Sequence, residues 1–275
     1  MNLEALFQNP TALPTAPKVV QELIDSFNDA NVSTEAIAKK VSTDPVLSAK
    51  LLRLANSAYY HVSRSIGTVE DAVMMLGFVT VRTLVISSGL VSGFKSVPGL
   101  ELKQFWRYSL HTAVAAKWIA KQAKENTDLA FTIGMMHAIG QLVIHAVMPE
   151  QAMQLDKVAP PLDSRRLDAE QASLGYNFGD VGAELAVRWK FPEPFAEAIK
   201  AFPNPTAEAP MNRIGAIIHL AAWRARMEES RLSLEEMSAC YPTGVANALG
   251  LAPNLLIDGM PELGELSAGL EELIK

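Results

Sequence analysis

From Leu129 to Met148 the chain carries no formal charge. A stretch so long and so apolar must either cross a bilayer or be buried on every side inside a protein. It contains Thr132, Gly134, His137, Gly140, Gln141 and His145, and Asp128 and Glu150 flank it. The expectation is a single helix at the centre of a large helical core, not a membrane span. The remaining sequence can supply that core, because 49 % of the 275 residues are hydrophobic and 20 % are charged. Disorder as the main state is excluded by that balance. The only cysteine is Cys240, so no intrachain disulfide forms and cysteine-rich zinc modules are ruled out. One thiol, and an N-terminus without a basic region before an apolar run, point to a cytoplasmic location. Lys and Arg number 24 against 30 Asp and Glu, a net charge of −6. Such a chain has no overall attraction to nucleic acid or to an anionic membrane.

The periodicity elsewhere is helical. Val19, Val20, Leu23, Ile24 and Phe27 form one stripe behind Pro17, which suits a first helical turn. Ser33 caps a short helix carrying Ile37 and Val41. Asp44-Pro45 pairs an N-cap carboxylate with proline at the first helical position, and Leu47, Leu51 and Leu54 then share a face. Thr68 with Asp71 has the spacing of a capping box, for a helix that stops at Gly77. Phe78 to Leu90 fits both strand alternation and a helical face. Gly93, Pro98 and Gly99 make the clearest break. They divide the chain into an N-terminal helical lobe at 1–97, a second helical lobe at 98–241 and a C-terminal extension at 242–275. Helices are expected over Leu102–Lys124, from Asp163 or Ser164 to near Gly175, and over Phe178–Lys190, Pro194–Phe202 and Met211–Met227. The tail ends in an amphipathic helix, Leu263–Ile274, folded back on the core, with a dimer or partner contact as the alternative.

No P-loop, nucleophile elbow or dinucleotide fingerprint is present. The histidines are the remaining lead. His137 and His145 lie eight residues apart on the expected central helix. That is about 12 Å along its axis, too far to share a metal ion. His111 and His137 sit on different helices, each among apolar residues, and could meet in space. A divalent site normally takes at least three protein ligands, and the sequence around both histidines has almost no carboxylates.

Several motifs together resemble one known family. They are Leu13-Pro14-Thr15-Ala16-Pro17, Ser42-Thr43-Asp44-Pro45-Val46-Leu47, and the run Leu51 to Tyr60 with Asn56-Ser57 inside it. Val69 to Val73, Leu76-Gly77-Phe78, Phe105 to His111 with Trp106-Arg107, and Gly134 to Leu142 continue the match. Leu174-Gly175-Tyr176, Val181-Gly182-Ala183 and Trp189 to Glu193 complete it. Over Leu13 to Met227 the chain resembles the HDOD family, the HD-related output domain of bacterial signalling proteins. The resemblance implies an all-α, two-lobed helical bundle and makes Phe78–Leu90 a helix.

The family is related to the HD metal-dependent phosphohydrolases, whose ordered His and Asp ligands hold one or two metals and activate water. Carried over by position, the first histidine is His111. The His-Asp doublet becomes His137-Ala138, and the following Gly-Lys becomes Gly140-Gln141. Later histidine positions fall on Phe178 and Phe202, and the late aspartate on Ala222, beside His219. The resemblance thus implies a vestigial pocket at His111, His137, Gln141 and His219, with no catalytic residue, no metal and no cofactor. It implies a non-catalytic regulatory module in bacterial signal transduction, acting on a protein partner or sensing a nucleotide or other small ligand. A homodimer is compatible with it. Asp44, Pro45, Asn56, Ser57, Trp106 and Arg107 are the interaction motif it suggests. The alternative is a degenerate but active phosphohydrolase, with His111, His137 and His219 as a three-histidine site.

Overall fold

The computed structural model describes residues 2–8, 18–25 and 33–275, with the backbone alone at 253 and 254. The motif Leu13–Pro17 and Phe27 lie outside the described residues. Every regular element among the described residues is helical.

Helices α1 (Leu3–Leu6) and α2 (Lys18–Asp25) precede α3 (Thr34–Ser42), α4 (Pro45–Ala55) and α5 (Val69–Leu76). The last three start where a side-chain oxygen takes up N–H groups that a helix leaves unpaired. Ser33 accepts from Ala36, Asp44 from Val46 and Leu47, and Thr68 from Asp71. The capping box at Thr68 is half formed, because the Asp71 carboxylate turns instead to Arg64, 3.2 Å away. Gly77, with φ of 82°, separates α5 from α6 (Phe78–Gly93). Helix α6 is buried on most of its circumference, so apolar residues fill every face and strand-like alternation arises by accident.

Helix α7 (Leu102–Gln122) is capped by the Glu101 carboxylate, which accepts from Lys103 and Gln104. The charge-free stretch then departs from the expectation of one helix. It forms α8 (Thr127–Met136) and α9 (Ile139–Val147), broken at His137-Ala138. Two close approaches in different directions explain the break. A methyl group at Gly134 would lie 2.6 Å from the Ala113 Cα of α7. One at Gly140 would lie 2.0 Å from the Phe178 carbonyl oxygen at the start of α12 (Phe178–Arg188). Each half seats against its own neighbour through a glycine, and the redirection lets both contacts form. The eight-residue separation of His137 and His145 therefore does not lie on one axis. By length and composition Thr127–Val147 could cross a membrane, but 89 % of its apolar section is buried inside the fold.

Helices α10 (Pro149–Val158) and α11 (Arg166–Leu174) lie between α9 and α12, and α10 was not expected. Pro149 starts it at the first helical position. Helix α11 begins slightly later than Asp163 or Ser164 and ends at Gly175 in the left-handed conformation, φ 83°. Helices α13 (Glu193–Ala201), α14 (Arg213–Glu229), α15 (Leu234–Ala239), α16 (Thr243–Ala248), α17 (Pro253–Ile257) and α18 (Leu263–Ser267) follow, with a 3₁₀ turn at Glu271–Ile274. The expected terminal helix is thus two pieces, broken by Gly269 with φ of 87°. Its apolar residues Leu263, Leu270 and Leu273 are fully buried. Helix α18 rests on α7, and the 3₁₀ turn rests on α4, α6 and α7, where Glu272 pairs with Arg53 at 2.9 Å.

Candidate functional site

Helices α7, α9, α12 and α14 bring together the positions at which the HD ligands would stand. His137, at the α8–α9 break, is fully buried. Its Nδ1–H donates to the Gly134 carbonyl at 2.7 Å, and its Nε2 has no hydrogen-bond partner. The Tyr108 and Phe202 rings meet the imidazole edge-on, with centroids at 5.1 and 5.4 Å. Phe178 packs on Phe202 at 5.8 Å. The Tyr108 hydroxyl points to the Ala222 carbonyl at 3.5 Å, the outer limit of a hydrogen bond. Phe178, Phe202 and Ala222 therefore surround His137 directly or through one neighbour. Burial pushes the His137 pKa down to about 4, against the hydrogen bond to Gly134. The ring is neutral at pH 7.

The other pocket residues are drawn elsewhere. The His219 Nδ1–H donates to the Phe202 carbonyl at 2.9 Å, so this histidine borders the same phenylalanine from its backbone side. Burial lowers its pKa also. Gln141 donates to the Pro161 carbonyl at 3.1 Å. His111 lies 3.4 Å from Glu229, which also accepts two hydrogen bonds from Arg107, at 2.8 and 2.6 Å. Burial opposes ionisation of Glu229, but Arg107 and His111 outweigh it and hold the carboxyl at about 2. The expectation of almost no carboxylate near His111 is thus corrected. Glu229 is distant in sequence, beyond the Met227 limit of the resemblance. Among the described residues, no group of three or more His, Cys, Asp or Glu side chains is placed to hold a metal ion.

The residues grouped as an interaction motif take separate places. Asp44 and Pro45 start α4. Asn56 clasps the following loop, donating to Leu52 and Ile66 and accepting from the Ile66 N–H, all within 2.8 Å. Ser57 faces Gly269 of the tail, where an added methyl would lie 3.0 Å from it. Trp106 is only 3 % exposed, tilted on Phe94 at 6.3 Å and edge-on to Phe105 at 5.0 Å. It is core and offers no contact surface. Arg107 belongs to the Glu229 cluster.

A second buried cluster was not foreseen. Arg166 and Glu170, one turn apart on α11, are both buried and joined at 2.6 Å. Arg166 also donates to Asp156 at 2.5 Å and to the Ala159 carbonyl at 2.8 Å. Its second terminal nitrogen lies 3.5 Å from the Nε2 of His145. His145 donates its Nδ1–H to the Pro98 carbonyl at 3.0 Å, which fixes the connector between α6 and α7. Glu170 accepts from the Phe178 N–H at 2.7 Å. Burial lowers the His145 pKa against the pull of Asp156, and burial raises that of Glu170 against Arg166. An Arg and a Glu four apart read in sequence as an exposed helix pair. Only the packing of α9, α10 and α11 places them in the interior.

The HDOD domain family profile matches residues 13–205. The chain belongs to the HDOD family. A Shewanella amazonensis protein provisionally described as a phosphohydrolase is 31 % identical, with a TM-score of 0.80 and coverage of 98 % of this chain and 96 % of that one. An HDOD domain protein of unknown function from Geobacter sulfurreducens is 24 % identical, with a TM-score of 0.77 over 98 % and 97 % of the two chains. An uncharacterized protein of Treponema pallidum is 26 % identical over 196 residues, 70 % of this chain but 38 % of its own length.

The resemblance to the HD phosphohydrolases implies a metal at this site, and the residues present decide whether one fits. A divalent centre needs three or more protein ligands, usually with carboxylates for a hard cation. In this HDOD pocket the unpaired imidazole nitrogens are His137 Nε2 and His111 Nδ1, and the Tyr108 and Phe202 rings stand against His137. His219 adds at most one imidazole nitrogen, and the His111 Nδ1 lies 3.4 Å from a single carboxylate, Glu229, with no group of three ligands formed among the described residues. The donor set does not fit a catalytic metal.

Proposed function

We propose that this chain is a non-catalytic HDOD module of bacterial signal transduction, cytoplasmic, acting through contacts with a protein partner. One observation carries the reading. Phe178, Phe202 and Ala222 gather around a fully buried, neutral His137, which supports a site with the helices of a hydrolase and without its ligands. A folded, ligand-poor core of this kind supports a role in presenting surfaces. The division into 1–97, 98–241 and 242–275 belongs to the same proposal, with the connector held by His145 as the joint between the first two parts.

A second reading, a phosphohydrolase, is favoured by the description of the Shewanella amazonensis relative. The experiment is elemental analysis of untagged protein, with phosphodiester and nucleotide hydrolysis assayed in added Mn²⁺, Mg²⁺ and Zn²⁺. No bound metal and no turnover is the expected result. Stoichiometric metal, or turnover abolished by His137→Ala, overturns the module reading.

A further inference from the structure

We propose that the groove between α12 and α13 docks a basic amphipathic helix of a partner protein. This deepens the module reading and rests on it. The groove has a volume of about 590 Å³, and Ala183, Val187, Phe191 and Ala196 give it an apolar floor. Val187, in the last turn of α12, is 57 % exposed. The stretches Asp180–Val187 and Glu193–Lys200, which line the two sides, each span about 10 Å at 1.5 Å per residue. That is two helical turns, the length that anchors at i, i+3, i+4 and i+7 require. The N-terminal segment closes one end: Leu3 reaches the groove, and the Arg188 guanidinium covers the Phe7 ring at 4.6 Å.

The charge around the floor selects the occupant. Asp180, Glu184, Glu193 and Glu197 line the groove, with Lys200 as the lining cation. Glu184 is answered by Arg188 at 2.7 Å. A second cleft of about 690 Å³ shares Asp180, Glu197 and Lys200 and adds Glu208, so the acidic rim continues past the end of α13. Nucleic acid and an anionic bilayer are repelled by such a rim, and the net charge of −6 works the same way at longer range. An apolar floor bordered by carboxylates complements a helix with one apolar face and Lys or Arg on its flanks.

The test uses the whole chain and a fluorescent synthetic peptide, with leucines at i, i+3, i+4 and i+7 and lysines elsewhere, read by anisotropy. Glu193→Lys with Glu197→Lys, and separately Val187→Asp, are expected to weaken binding at least about tenfold. Glu35→Lys with Glu70→Lys makes the same change of net charge on α3 and α5 and should leave affinity within about twofold. Binding should also weaken as salt rises. Because all these positions are on the surface, thermal melts will show each variant folded. Equal weakening by both double variants, equal binding of a peptide with glutamate for lysine, or self-association of the chain through Val187 overturns the proposal. Metal content and hydrolysis are measured on the same preparation. A groove that fails while these stay negative sinks the docking site alone, and positive metal and turnover sink the module reading.

Discussion

His137 and His145 come from one charge-free stretch, and the fold places them in opposite surroundings. His137 sits among rings, with one hydrogen bond and an unpaired nitrogen. His145 sits among ions, with Arg166 and Asp156 on one side of its ring and the Pro98 carbonyl on the other. The difference separates two uses of a buried imidazole. In the aromatic pocket it fills space between rings. In the charged cluster it ties a loop to three helices. Phe178 joins the two, with its N–H on Glu170 and its ring on Phe202.

The largest expected effect comes from breaking the charged side. Arg166→Ala leaves Glu170 buried without its cation, and removing one partner of a buried pair costs about 3–5 kcal/mol. Urea denaturation at pH 7 measures it. Replacing both, Arg166→Met with Glu170→Leu, should recover part of that loss, because no buried charge on α11 is then stranded. A double variant as unstable as the single would mean that the cluster holds its neighbours by more than charge balance.

The second effect separates the histidines by pH. His137 titrates at about 4 in the fold and near 6.5 when unfolded. A lowered folded pKa gives stability that is complete above pH 6.5 and is lost as pH falls toward 4. The loss for His137 alone is about 3 kcal/mol. His145 and His219 are lowered in the same direction and add to it. Denaturation at several values between pH 7 and pH 4 should therefore show a steep fall, and His137→Leu should flatten a large part of it. An unchanged slope in that variant would contradict a buried, neutral His137.

The third concerns the link. A double-mutant cycle of Glu170→Gln and Phe178→Leu should be additive within about 0.5 kcal/mol, because the hydrogen bond they share is donated by the Phe178 backbone N–H, which leucine keeps. A coupling well above that would show that the Phe178 side chain itself transmits between the two clusters.

These contrasts also mark what the sequence could disclose. The caps at Ser33, Asp44 and Thr68 were legible because donor and acceptor lie within three residues. The HDOD motifs were legible for the same local reason, and the family they indicate is the one whose profile matches residues 13–205. The break at His137-Ala138 was not legible, because no proline or turn sequence marks it and it accompanies two long-range contacts, of Gly134 with α7 and of Gly140 with α12. Helix α10 was not legible because Pro149 directly follows the charge-free run and reads as its end, whereas it occupies the first helical position of the next helix. Glu229 and the Arg166 cluster were missed because charge in the core is decided by which faces pack together, and a single sequence does not display that.

The smallest effect tests whether the aromatic pocket is held by packing alone. Tyr108 presents its ring to His137 and its hydroxyl to the Ala222 carbonyl at 3.5 Å. A hydrogen bond at that distance contributes little, whereas the edge-on ring contact adds about 0.5–1.5 kcal/mol beyond area burial. Tyr108→Phe keeps the ring and should change stability by less than about 0.5 kcal/mol, near the low end for a single hydrogen bond. Tyr108→Leu keeps bulk and removes the ring, and should cost about 1 kcal/mol more than Tyr108→Phe. The reverse order would mean that the hydroxyl, not the ring, organises the pocket. A polar anchor would then survive beside His137, and the contrast with the charged cluster would be one of degree.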